Sequence, residues 1–140
     1  MANDPRTLAR PIRAALAGGG QLTDAERAGV ENGSDALLDG FISIERDQGL
    51  STVDAICATM ALLQSVMEKE PVAGGVLMAR LYPIASRECH HEVCDAIELW
   101  LDQVRSRHLA NLIRQLASDP TDADLARRYD EWARRIEGRT

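Results

Sequence analysis

Aromatic residues are scarce in this chain: Phe41, Tyr82, Trp100, Tyr129 and Trp132 make up 4% of 140 residues. The apolar content comes instead from Ala, Leu, Val, Ile and Met. That mix favours helix, whereas strands favour β-branched and aromatic side chains. A sheet-based fold is therefore not expected, and the chain reads as all-α. Lysine is rarer still, with Lys69 alone beside fifteen arginines, and the net charge is −6. A general nucleic-acid binder needs a basic surface to displace counterions, so nucleic acid is not the expected partner. The most apolar stretch, 53–67, is interrupted by Asp54, Thr59, Gln64 and Ser65, so no membrane span is expected. There is no apolar leader around Asp4-Pro5, and cysteines number only three. That combination predicts reduced thiols in a soluble, cytoplasmic protein, with at least one cysteine lacking an intramolecular partner. Neither a Gly-x-x-x-x-Gly-Lys-Ser/Thr loop, nor a Gly-x-Gly-x-x-Gly turn, nor a Gly-x-Ser-x-Gly elbow occurs. The usual sequence grounds for a nucleotide-binding enzyme or a serine hydrolase are thus missing, and catalysis is not the expected role.

What is present suits one helical domain with a single core. Residues 1–20 read as an N-terminal arm or short helix: Asp4 caps it, Pro5 and Pro11 start and kink it, and Gly18-Gly19-Gly20 forms a joint. Residues 21–140 read as the bundle itself, with about five to six helices in all. Thr23-Asp24-Ala25-Glu26 is a capping box that starts a helix at Asp24. Asn32-Gly33-Ser34 offers a break, Leu37, Leu38, Phe41 and Ile44 share a face, and Gly49 supplies a stop. Ser51 and Asp54 open the next helix, 52–69, which is apolar or small nearly all round and so should be central. A short helix is expected at 74–82, between Gly74-Gly75 and Pro83. From Ile84 to about Ala117 there is neither glycine nor proline, which predicts one long helix of about 50 Å. Ser118-Asp119-Pro120-Thr121 ends it and caps the amphipathic C-terminal helix. There Leu125, Tyr129, Trp132 and Ile136 form a stripe, and Asp124–Arg128, Asp130–Arg134 and Glu131–Arg135 stand four apart.

Charge is unevenly spread. Residues 21–54 carry eight acids against two bases, while 105–140 carry eight arginines against six acids. A solvated acidic helix surface is the common cause of such a bias, and an acidic docking face is the functional one.

The segment Ser86–Asp95 gathers two of the three cysteines and two of the three histidines. On one continuous helix, His90, Val93, Cys94, Ile97, Leu101, Val104, His108 and Leu112 fall on the apolar side, while Glu88, His91, Glu92 and Asp95 fall on the polar side. His90 and Cys94, four apart, then point inward toward Cys57 on the central helix. Cys57, His90 and Cys94 make a candidate Cys2His set for zinc or another transition metal. The plain alternative is two core thiols and a satisfied histidine, because cysteine is among the most buried residue types and no paired chelating turn is present. Glu88-x-x-His91 has the spacing of half a di-iron site, but no second copy exists. An intrahelical Cys89–Cys94 disulfide would distort the helix.

The functional expectation is a small regulator, adaptor or assembly component acting through protein contacts, as a homodimer. A long helix should overhang the core, and Trp132, Tyr129 and Leu112 are the candidate interaction residues, since aromatic side chains favour interfaces. The competing expectation is a metal- or cofactor-binding bundle using Cys57, His90 and Cys94.

Overall fold

A computed structural model describes residues 5–18, 22–88, 90–117 and 123–139. Among these the chain forms seven helices and no strand: α1 (Pro5–Ala17), α2 (Asp24–Asp47), α3 (Thr52–Met67), α4 (Pro71–Arg87), α5 (His91–Leu101), α6 (Arg107–Ala117) and α7 (Ala123–Arg139). The expected cap at Asp4, the glycine joint at 19–20, Cys89 and the cap at 118–121 lie outside the described residues.

The strongest sequence signals set the N-termini. Both halves of the capping box form at α2, with the Glu26 N–H donating to Thr23 Oγ1 at 3.1 Å and the Thr23 N–H to Glu26 Oε1 at 2.9 Å. At α3 the Asp54 N–H donates to Ser51 Oγ at 3.1 Å. Between them the chain turns through 119°. Gly49 stands in that corner at φ +95°, a conformation that costs a side-chain-bearing residue about 1–2 kcal/mol.

Helix α4 is the hub, packed against α2, α3, α5 and α6, with α1 laid on α2 and α7 laid along α6. Its first turn is tied to α2 by Glu70. That buried carboxylate accepts from the Leu22 N–H at 3.1 Å and from Arg27 Nε and Nη2 at 3.0 and 2.8 Å. Paired in this way with Arg27, the Glu70 carboxyl is held below the usual carboxylate range.

Several expectations fail here for physical reasons. The long helix 84–117 is not one rod but the end of α4 followed by α5 and α6. Side chains cap the restarts without glycine or proline: His90 Nδ1 accepts from the Val93 N–H, and Ser106 Oγ from the Leu109 N–H. Conversely, the punctuation that should have confined α4 to 74–82 does not stop it. Gly74 and Gly75 lie within the helix where neighbouring side chains stand so close that a Cβ would force them to shift. A Cβ on Gly75 would stand 2.5 Å from Leu109 Cδ2 of α6, and one on Gly74 would stand 2.9 Å from Met67 Sδ.

Pro83 also lies within α4. Its ring nitrogen has no hydrogen for the carbonyl of Ala79, four residues back. Tyr129 of α7 replaces that donor: its hydroxyl donates to the Ala79 carbonyl at 3.0 Å. The supposed break at 32–34 is likewise continuous helix. Of the two readings of the N-terminal segment, arm or short helix, α1 is a short helix, and its Ala9, Ile12 and Leu16 belong to the core. In α7 the Asp130–Arg134 and Glu131–Arg135 pairs form at 3.0 Å. Arg128, however, reaches across to Glu98 of α5, leaving Asp124 to Arg127.

Candidate functional site

Two of the three proposed metal ligands meet. Cys57 of α3 is exposed, and its Sγ lies 2.8 Å from Nε2 of half-buried His90 at the start of α5. The break before α5 creates this contact, because the residue that caps the helix is the residue that reaches α3. Nδ1 accepts from the Val93 N–H at 3.4 Å, which leaves Nε2 as the ring nitrogen facing the sulfur. Partial burial, Asp54 and Glu92 push the Cys57 thiol above its ordinary value.

Cys94 is placed elsewhere. It is buried at 7% exposure, and its thiol is pushed up by burial and then by Asp95 and Glu98, with Arg128 opposing them. The two thiols thus sit among different charges. No group of three or more His, Cys, Asp or Glu side chains able to hold a metal ion occurs among the described residues. His108 also departs from its expected place. Its side chain is 60% exposed and meets Glu31 at 3.3 Å, because the restart at Arg107 resets the helical phase that had assigned it to the apolar face.

Two candidate interaction residues lie in the core. Trp132 is 2% exposed and Tyr129 4%. Trp132 packs edge-on against Tyr82 of α4 with ring centroids 5.1 Å apart, and Arg128 stands over the other end of that cluster, 4.9 Å from the Tyr82 centroid. These side chains fasten α7 to α4. Leu112 is half-buried against the core. A cleft of about 770 Å³ opens beside this cluster, lined by Arg80, Arg87, Arg128, Asp39, Asp124 and Gln115 among others.

The surface that sequence reading missed is on α3. This is the most apolar of the seven helices, and Asp54 is its sole charge between Ser51 and Met67. Ala55, Ile56, Thr59, Met60, Leu63, Val66 and Met67 face inward. Val53, Cys57 and Ala61 face solvent, with Leu50 just ahead of the helix; Val53 is 40% exposed and Leu50 37%. A helix apolar or small nearly all round had been expected to be central, and the clue to its exposed side was the i, i+4, i+8 series Val53, Cys57 and Ala61. Among the described residues no single helix is long and apolar enough to cross a membrane.

Comparison of the chain with protein families, characterised proteins and solved structures finds no match.

Proposed function

We propose that the protein acts through protein contacts, as a small regulator, adaptor or assembly component, and that it pairs with itself through the exposed face of α3. The observation that carries this reading is the row Leu50, Val53, Cys57 and Ala61 on the exposed side of that helix, where Asp54 is the one charge in α3. A surface helix ordinarily turns many charged side chains to water, as α7 does; α3 turns Val53, Cys57, Ala61 and Ser65, with the single carboxylate of Asp54 among them. Small residues at fourfold spacing let a second helix approach closely.

An antiparallel, two-fold pairing centred on Cys57 sets Val53 of each copy against Ala61 of the other. It also separates the two Asp54 carboxylates by about 9 Å along the axis at 1.5 Å per residue, whereas a parallel pairing would set them side by side. Trp132 and Tyr129 take no part, being committed to the monomer core.

Native mass spectrometry of untagged protein, purified without chelator under reducing conditions, tests the reading. Two chains of 15.3 kDa are expected together at micromolar concentration. Val53→Asp and Ala61→Arg should each release monomers that keep the helical circular dichroism of the parent. A wild-type monomer would defeat the proposal. The competing reading, a metal-binding bundle, rests on the 2.8 Å contact between Cys57 and His90, and bound metal mass in the same spectrum decides it.

A further inference from the structure

The cleft beside the Tyr82–Trp132 cluster takes no part in the α3 pairing, and its walls follow a pattern. Arg80, Pro83, Ile84 and Arg87 stand at i, i+3, i+4 and i+7 on α4, so they share one face of that helix, and all four line the cleft. The face is an apolar floor with a guanidinium at either end, about 10 Å apart along the axis. Leu116 of α6 and Leu125 of α7 line the cleft as well, and Arg128 adds a third guanidinium. A chain of net charge −6 thus gathers three of its fifteen arginines around one concavity.

The surrounding charges narrow the ligand. Two carboxylates, Asp39 and Asp124, belong to the same lining. Asp124 is taken by Arg127, and Arg128 is steadied by Glu98 and by the Tyr82 ring beneath it. Arg87 is exposed and makes no ion pair among the described residues. Guanidinium groups suit planar oxyanions, which they can hold through two parallel hydrogen bonds. Asp39 opposes a second negative charge, so one anionic group is favoured over several. The volume of about 770 Å³ is that of a small-molecule site, and a bare inorganic ion would leave the apolar floor uncovered.

We infer that this cleft binds a small amphipathic monoanion, with an aromatic or aliphatic body on Pro83, Ile84, Leu116 and Leu125 and a carboxylate or sulfonate on Arg87. Arg80 and Arg128 complete the positive lining.

The test compares 8-anilinonaphthalene-1-sulfonate, a fluorescent aromatic monoanion, with N-phenyl-1-naphthylamine, the same body without the sulfonate. Wild-type protein should bind one sulfonate probe per chain, about tenfold more tightly than the neutral one, and added salt should shrink that preference. Arg87→Gln should weaken the sulfonate about tenfold, the worth of one charge-assisted hydrogen bond, and leave the neutral probe unchanged. Ser86→Glu, which adds a carboxylate at another exposed lining position, should act in the same direction. Both variants should keep the helical circular dichroism of the parent. Arg105→Gln removes an exposed arginine that does not line the cleft, and it should change neither affinity. Absence of binding at millimolar probe, equal affinity for the two probes, or an equal loss in Arg105→Gln would each overturn the site. The apolar side of α3 can also attract such a probe. Sulfonate binding that vanishes in Val53→Asp and survives in Arg87→Gln would therefore overturn the cleft assignment, whichever way the pairing of α3 is decided.

Discussion

Replacing Tyr129 by phenylalanine removes one oxygen atom, and its cost should depend on a residue in another helix. The Tyr129 hydroxyl donates at 3.0 Å to the Ala79 carbonyl, a buried contact, and Pro83 has no N–H for that carbonyl. In Tyr129→Phe the carbonyl is left dry and unpaired, which costs about 1–3 kcal/mol. With Pro83→Ala the residue-83 amide can take over the carbonyl, and the same tyrosine change should fall to the ordinary net value of about 0.5–1.5 kcal/mol. The coupling between the two sites is therefore expected at about 1 kcal/mol, within the range measured for residues in direct interaction. Urea denaturation followed by circular dichroism on the four proteins of the cycle gives each midpoint. Unchanged slopes would show that stability and not compactness has moved. An equal cost of Tyr129→Phe in both backgrounds would refute the idea that the hydroxyl stands in for the proline's missing donor.

Other changes have equally definite expectations. Gly75→Ala and Gly29→Ala share the same helix-propensity gain of about 1 kcal/mol. Only the first meets a neighbour, Leu109, while a Cβ on Gly29 finds open space, so Gly75→Ala should be the less stable by about 1–3 kcal/mol in thermal melts. Glu70→Gln should lower stability at neutral pH by about 2 kcal/mol. Because the folded Glu70 pKa lies below its ordinary value, the lost stability is that present above the ordinary carboxylate range. Wild type loses it as pH falls through the folded value, so the wild-type and variant stability curves should converge in acid. Trp132→Ala, which empties the site packed against Tyr82, should cost about 3–5 kcal/mol. By contrast, Val53→Asp should separate the copies with little change in monomer stability, as analytical ultracentrifugation and melting together would show.

The helix class and the starts of α2 and α3 were legible because caps are local: Thr23 with Glu26, and Ser51 with Asp54, carry their own hydrogen bonds. The boundaries of α4, α5 and α6 were not legible, because partners distant in sequence decide them. The donor that Pro83 lacks is replaced by Tyr129, and Gly74 and Gly75 mark close approaches that become visible once Met67 and Leu109 are packed. A histidine cap at His90 has no strong sequence signature, so the break that turns His90 toward Cys57 was hidden. The pairing of those two residues was nonetheless anticipated, though on a continuous helix that does not form. Cys94 was assigned to the same set by that helix's phase, and the real phase places it among Glu98 and Arg128. Trp132 and Tyr129 were chosen for their chemistry, which suits an interface between helices of one chain as well as one between two chains.

The tie between Tyr129 and Ala79 spans fifty residues, and this has a consequence for the chain during its synthesis. Most of the helix contacts join neighbours along the sequence, so α1 to α5 can associate as they emerge. The hub helix cannot finish in that order. The turn before Pro83 keeps an unmatched carbonyl, and Tyr82 waits for its ring partner, until α7 has emerged. A nascent or truncated chain stopping short of Tyr129 therefore displays an unclosed seam on α4 to chaperones and proteases, and arrival of the last helix is the event that seals it.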